Sequence, residues 1–141
     1  MMKGKKLERG NTIGVVAPAN FASLDEIKNG QKQLELLGYK TKLGESCFGK
    51  WFNFSGTDDL RANDINEMFA DETVDAIICL RGGYGCIRIL EQVDFDIIRN
   101  NPKLFIGFSD ITLLLTAINK FTDILTIHGP MLTSNIAEDF D

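Results

Sequence analysis

The sequence lacks the features that mark nucleic-acid-binding, secreted and membrane proteins. Its 141 residues carry a net charge of −5, and the longest basic run is Lys-Gly-Lys-Lys at residues 3–6. No basic footprint for nucleic acid is therefore present. No apolar stretch approaches the roughly 18 residues of a membrane-spanning helix, and residues 1–10 lack the apolar centre of a signal peptide. We expect a cytoplasmic location, with neither nucleic acid nor a membrane among the partners.

Cysteine is scarce and shows no pattern. Cys47, Cys79 and Cys86 are odd in number and lack C-x-x-C spacing, which argues against a disulfide framework and against a zinc site. Reduced thiols are the default for a cytosolic protein. We therefore expect no metal and no cofactor.

What the sequence does contain is an alternation of apolar runs and amphipathic segments. Runs at residues 12–18, 39–43, 75–80, 103–108 and 125–128 predict strands. Helices are predicted from the Ser23–Glu26 capping box to Gly38, from Thr57, over 86–92 and 95–100, and after Ser109. This order predicts one α/β domain over residues 1–141, flavodoxin-like or Rossmann-like, with a mostly parallel sheet and helices on both faces. For the polar, acidic residues 135–141 we predict no element.

The segment 44–56 is predicted to be a loop, and it is rich in glycine and aromatic residues. Two interpretations are open for its aromatic side chains. They could border a ligand pocket, or they could simply pack onto the domain.

Ligands of open parallel sheets bind beyond the carboxyl ends of the strands, where Gly-Phe-Ser-Asp-Ile at residues 107–111 is predicted to lie. A serine between a strand and a helix is typical of the nucleophile elbow of hydrolases. Ile111 departs from the G-x-S-x-G pattern, which ends in glycine. The alternative interpretation is that Ser109 caps the helix that follows it.

A second candidate, Arg-Gly-Gly-Tyr-Gly at residues 81–85, follows a predicted buried strand. Paired glycines allow backbone amides to point at an anion, either a tetrahedral oxyanion or a phosphate. The dinucleotide fingerprint fits poorly because Arg88 stands where its third glycine belongs. Arg81 could hold a substrate carboxylate, or the segment could be a tight turn with a surface arginine.

Two further hypotheses concern single residues. His128 is the only histidine, and the order Ser109, Asp123, His128 matches one of the orders of a catalytic triad. Asp123 lies only five residues before His128, however, and a triad needs each partner on its own loop. Cys86 beside the glycine segment is a candidate reactive thiol, although no histidine is near it in sequence.

Four segments together resemble the N-terminal half of the LD-carboxypeptidases, the muramoyltetrapeptide carboxypeptidase family that includes the microcin C self-immunity peptidases. They are Gly-Val-Val-Ala-Pro at 14–18, Arg-Gly-Gly-Tyr-Gly at 81–85, Ile-Gly-Phe-Ser-Asp-Ile-Thr at 106–112 and His-Gly-Pro-Met at 128–131. Each segment is weak alone, but in this order they run along nearly the whole chain.

The resemblance implies a serine peptidase with a Ser-Glu-His triad and Ser109 as its nucleophile. It implies an oxyanion hole formed by the amides of Gly83 and Asp110. Arg81, Gly82 and Tyr84 would line the site for a peptide substrate. Members cleave an L,D amide and release D-alanine from murein tetrapeptide; the immunity branch cleaves an amide of a peptide-nucleotide antibiotic.

The resemblance also implies that Glu and His come from a C-terminal domain, which is absent from this sequence. We therefore expect residues 1–141 alone to be nearly inactive, because the members of a triad act as a unit, and we expect the full-length form to be a homodimer. Two alternatives stay open: a non-catalytic module that binds a nucleotide or phosphate, and a folding unit whose exposed apolar face favours self-association.

Overall fold

The computed structural model describes residues 1–134. The strands are β1 (Thr12–Val16), β2 (Lys40–Leu43), β3 (Ala76–Cys79), β4 (Leu104–Gly107) and β5 (Ile127–His128). The α-helices are α1 (Leu24–Leu36), α2 (Asp58–Ala70), α3 (Cys86–Ile89), α4 (Phe95–Asn100) and α5 (Thr112–Thr122), with 3₁₀-helices at Glu45–Phe48, Leu90–Gln92 and Ser109–Ile111. Residues 135–141, for which the sequence predicts no element, lie outside the described residues.

The sheet is parallel throughout, with the strand order β2-β1-β3-β4-β5. From β1 the chain moves to β2 at one edge of the sheet, and it then adds β3, β4 and β5 in turn on the other side of β1. Crossover connections between parallel strands are right-handed. Helix α1 therefore covers one face and the later helices cover the other. The core agrees: Ile27 of α1 packs with Val15, whereas Ile65 of α2 and Leu114 of α5 belong to the other cluster. The predicted fold class is confirmed.

Local signals in the sequence explain most element boundaries. Ser23 and Glu26 form both bonds of the capping box, each 3.1 Å long. The Thr57 hydroxyl accepts the Leu60 N–H at 3.2 Å at the start of α2. Gly38, with φ of +97°, follows the last turn of α1, as its predicted role as a helix stop requires.

The differences from prediction lie at the ends of elements. Strand β1 ends at Val16 rather than at residue 18, because the Ala17 N–H donates to the Ser46 hydroxyl at 3.0 Å. The helix predicted over 86–92 is α3 followed by a 3₁₀ turn from Leu90. None of the helices among residues 1–134 has the length and apolar character that crossing a bilayer requires.

The largest fully buried side chain is a charged one, Arg61 of α2. Its Nε donates to the Gly56 carbonyl at 3.0 Å, and its Nη1 donates to the carbonyls of Pro18 at 2.6 Å and Gly85 at 3.1 Å. Its Nη2 pairs with the Asp58 carboxylate. Burial lowers the pKa of the Arg61 guanidinium, and the Asp58 charge opposes that shift. One side chain thus joins the loops that follow β1, precede α2 and follow β3.

The aromatic residues of segment 44–56 do not all behave alike: some pack onto the domain and others are exposed. Phe54 packs onto the domain, with its ring centroid 4.7 Å from the Arg61 guanidinium carbon. Phe48 and Phe52, in contrast, are 60% and 76% exposed. The packing interpretation therefore describes Phe54, whereas Phe48 and Phe52 point to solvent.

Replacing Arg61 with Met should destabilise the domain by about 3–5 kcal/mol, because it leaves buried carbonyl groups without a donor and a carboxylate without its partner. Urea unfolding followed by circular dichroism measures this free energy. Arg88→Met is the matched control, since Arg88 binds the same Asp58 carboxylate from the surface. Its loss should be much smaller; equal losses for both variants would contradict the role of Arg61.

Candidate functional site

The candidate site lies at the carboxyl edge of the sheet, where three loops meet. Strand β3 lies between β1 and β4 in the sheet, so the loop after β3 is flanked by the loops after β1 and β4. Helix α1 follows β1 on one face and helices α3 and α4 follow β3 on the other, which makes the β1–β3 boundary the topological switch point. Ligands of open α/β sheets bind at this point.

Ser109 directly follows β4, and its side chain is exposed. Its φ is +58°, a left-handed conformation that costs a residue with a Cβ about 1–2 kcal/mol. Such strain persists where the surroundings enforce it, and it concentrates at functional sites. Among residues 1–134, no side chain or backbone group is recorded in a hydrogen bond with the Ser109 hydroxyl.

The alternative that Ser109 is a helix cap is wrong. The capping position before the 3₁₀-helix belongs to Phe108, and no side chain caps either that helix or α5. The departure at Ile111 also has a structural reason. Ile111 is fully buried, so its side chain joins the core rather than the space in front of Ser109.

The glycine segment lies beside Ser109, as the sequence predicts for two loops at one edge. A Cβ built on Gly82 would lie 3.1 Å from the Ser109 Cβ and 3.2 Å from its Oγ. Gly83 has φ of +113°, is exposed, and follows immediately. Because Gly82 has no side chain, the Ser109 hydroxyl has room next to the backbone of this loop.

Asn20, in the loop after β1, contacts the glycine segment from its other side. Its N–H donates to the Gly82 carbonyl at 3.3 Å, and its Oδ1 accepts the Tyr84 N–H at 3.1 Å. A Cβ on Gly83 would lie only 2.3 Å from the Asn20 Cγ. Sequence reasoning missed Asn20, because an asparagine two residues after a proline is an ordinary loop residue.

Asp110 joins the serine turn to the start of α3. Its Oδ2 accepts the Cys86 N–H at 3.0 Å. Cys86 itself is fully buried, and burial, with the Asp110 charge next in importance, raises the pKa of its thiol. The reactive-thiol hypothesis for Cys86 is therefore wrong.

Arg81 and Tyr84 flank the paired glycines. The Arg81 Nη1 donates to the Phe21 carbonyl at 3.3 Å, and the side chain is half-buried. Tyr84 is 56% exposed, and its ring centroid lies 6.1 Å from that of Phe54. Both side chains thus remain at the edge that holds Ser109.

The triad Ser109, Asp123, His128 is not assembled. His128 pairs with Gly107 in the sheet and is exposed at the same edge as Ser109. Asp123 follows α5, whose 11 residues span about 16 Å, and it pairs there with the amino group of Met1 at 3.3 Å. The helix therefore carries Asp123 to the opposite end of the domain from Ser109.

The Ser109 hydroxyl and the backbone amides at this edge of the sheet are suited to acyl transfer. A hydroxyl can attack a carbonyl carbon, and neighbouring amides can stabilise the resulting oxyanion. Within residues 1–134, no three or more His, Cys, Asp or Glu side chains gather in a way that could hold a metal ion. A strained serine on a strand-to-helix turn of a parallel sheet places the chain among α/β domains with a nucleophile-elbow type of turn.

The comparison with protein families agrees with this class. Residues 13–129 match the family described as the LD-carboxypeptidase N-terminal domain. The chain belongs to that family, which confirms the resemblance drawn from the four sequence segments.

Individual relatives extend the comparison. A probable murein peptide carboxypeptidase of Bacillus subtilis (strain 168) is 43% identical over 137 residues, which cover 97% of this chain and 43% of that protein. The solved structure of an MccF-like protein from Bacillus anthracis strain Ames matches with a TM-score of 0.88 and 33% identity, over 94% of this chain and 41% of that one. A muramoyltetrapeptide carboxypeptidase from Oxalobacter formigenes matches with a TM-score of 0.82 and 27% identity, over 92% and 45%. The chain spans less than half the length of these relatives.

Because the backbone of Ser109 is strained, glycine at position 109 should give a more stable domain than alanine, the opposite of the order expected within a helix. Ser109→Gly should be about 1 kcal/mol more stable than Ser109→Ala, because only glycine adopts this φ without a steric cost. Urea unfolding measures the difference. At Thr116, exposed in the middle of α5, the order should reverse and Ala should exceed Gly by about 1 kcal/mol. The same order at both positions would contradict strain at Ser109.

The thiols of the native protein should not react with Ellman's reagent at mildly alkaline pH. Cys47, Cys79 and Cys86 are all buried, and burial raises the pKa of each thiol, that of Cys47 to about 12. All three should react after unfolding. Lys28→Cys, on the exposed side of α1, is the positive control; rapid labelling of Cys86 in the native state would contradict its burial.

Proposed function

We propose that this chain is the nucleophile-bearing domain of a cytoplasmic serine carboxypeptidase that cleaves the terminal L,D amide of murein tetrapeptide and releases D-alanine. One observation carries the proposal: Ser109 is held at φ of +58° with its exposed side chain next to the backbone of Gly82. The murein peptide carboxypeptidase named among the relatives supports the choice of substrate.

The amides of Gly83 and Asp110 form the proposed oxyanion hole. Among residues 1–134, neither N–H group donates to the backbone of another loop, as an oxyanion donor requires. Asp110 follows the nucleophile directly, and its side chain ties that turn to α3. Donors that are fixed before the reaction stabilise the developing charge without a cost of reorganisation.

In the proposed reaction, the Ser109 Oγ attacks the scissile carbonyl carbon while its proton passes to a histidine that a glutamate orients. The amide C–N bond then breaks, and D-alanine leaves after its nitrogen takes that proton. Water hydrolyses the remaining ester and regenerates Ser109. Gly82 leaves space for the substrate, while Arg81 and Tyr84 contact it, with the Arg81 guanidinium suited to a carboxylate.

The glutamate and histidine are proposed to come from a C-terminal domain, and the active form is proposed to be a homodimer. Support for the C-terminal domain comes from the length of the relatives, of which this chain spans less than half. Support also comes from the site, since among residues 1–134 neither an imidazole nor a carboxylate is recorded in a hydrogen bond with the Ser109 hydroxyl.

The test is D-alanine release from murein tetrapeptide by the full-length gene product. Ser109→Ala should lower kcat by about 10⁵-fold or more, since loss of the nucleophile removes most triad catalysis. Residues 1–141 alone should show almost no turnover. Ser134→Ala, which removes the hydroxyl of a partly buried serine, is the control and should retain activity.

Two parallel assays distinguish the alternatives. Cleavage of an aminoacyl sulfamoyl adenosine without D-alanine release would move the assignment to the peptide-nucleotide branch. Thermal stabilisation by nucleotides, with no labelling of Ser109 by a fluorophosphonate in the full-length protein, would favour a non-catalytic binding module and overturn the peptidase proposal.

A further inference from the structure

We propose that Asn20 is a positioning residue that sets the direction of the Gly83 amide toward the Ser109 hydroxyl. The proposal rests on the proposed function, since it gives the Gly83 amide its role at the oxyanion. It concerns a residue whose hydrogen bonds go to the glycine segment, through which it acts on the Gly83 amide.

The argument begins with the peptide group between Gly82 and Gly83. In a planar trans peptide, the C=O and the N–H point in opposite directions. The Gly82 carbonyl accepts the Asn20 N–H, and Asn20 follows β1, on one side of β3. The Gly83 N–H therefore points away from β1 and toward the β4 side, where Ser109 lies.

The next peptide group is fixed by the Asn20 side chain. Its Oδ1 accepts the Tyr84 N–H at 3.1 Å, so the peptides before and after Gly83 are both held by one residue. This second bond matters because Gly83 has no side chain of its own to restrict φ and ψ. Without it, only the 3.3 Å bond from the Asn20 N–H to the Gly82 carbonyl would hold the segment, and the Gly83 N–H would tilt more freely away from the oxyanion.

Asn20 is itself held in place. It forms an antiparallel bridge with Phe54, and the Ser55 N–H donates to the Ala19 carbonyl at 2.9 Å. The Pro18 carbonyl two residues earlier accepts from the buried Arg61. The amide side chain of Asn20 thus extends from a fixed backbone, as a positioning residue requires.

The experiment compares Asn20→Ala, which removes the acceptor, with Asn20→Asp, which keeps an acceptor oxygen at this position as part of a carboxylate. In the 141-residue chain, N–H residual dipolar couplings report the orientation of the Gly83 amide, and hydrogen exchange reports protection of the Tyr84 amide. We expect N20A to reduce the size of the N–H residual dipolar coupling of Gly83 and to increase the hydrogen-exchange rate of the Tyr84 amide. N20D should resemble the wild type in both measurements. Asn11→Ala is the matched control, because Asn11 also accepts a backbone N–H, that of Glu8, but at the opposite edge.

The second readout is D-alanine release by the full-length gene product. We expect N20A to lower kcat by about 10- to 100-fold with KM nearly unchanged, as misplacement of a transition-state donor does. N20D should recover only part of that loss, because its negative charge lies near the developing oxyanion, and N11A should show no loss. A rise in KM with unchanged kcat, or wild-type kcat in N20A, would overturn the proposal.

The outcomes separate this inference from the proposed function. If the wild-type protein releases no D-alanine, the proposed function fails, and the Gly83 coupling still decides whether Asn20 orients that amide. If the wild type is active and the Gly83 coupling is the same in N20A and wild type, the inference fails while the peptidase assignment stands.

Discussion

The carboxyl edge of the sheet depends on one buried guanidinium. Arg61 holds the carbonyl of Pro18 on one side and that of Gly85 on the other, so it fixes the loops after β1 and β3 relative to each other. From Gly85 the connection continues through the Cys86 N–H to Asp110, the residue after Ser109. The geometry around the serine is therefore a consequence of contacts made on a different element, α2.

Burying the Arg61 charge carries a desolvation penalty, which its hydrogen bonds and its ion pair offset. A guanidinium presents five donors in a rigid fork, and Arg61 directs them at three carbonyl groups and one carboxylate. Those carbonyls lie at loop ends, where no strand or helix supplies a donor. A hydrophobic side chain of equal volume would fill the space but leave the loops unconnected. Losing the guanidinium alone is therefore costly, and the interaction also specifies the positions of the loops.

Sequence patterns predict this fold well and the site only in part. Strand runs, the Ser23 capping box and the glycine after α1 are local signals, and each acts within a few residues. Ser109 and the glycine segment are also recognisable, because strand ends of a parallel sheet meet at one edge. Arg61 and Asn20 could not be predicted: an arginine on a helix normally faces solvent, and their partners are up to 64 residues away in sequence. The triad hypothesis with Asp123 is wrong for a different reason, since the length and direction of α5 carry Asp123 away from Ser109.

Under the proposed function, the division of labour between domains follows from what each catalytic group requires. An oxyanion hole works because its dipoles do not reorganise during the reaction, which favours donors and nucleophile within one rigid unit. Here Ser109, Asp110 and Gly83 are held in one domain by strand ends, a strained turn and cross-loop hydrogen bonds. A general base needs only to reach the hydroxyl proton when substrate is bound. It can therefore come from a second domain, whose approach also excludes water from the site.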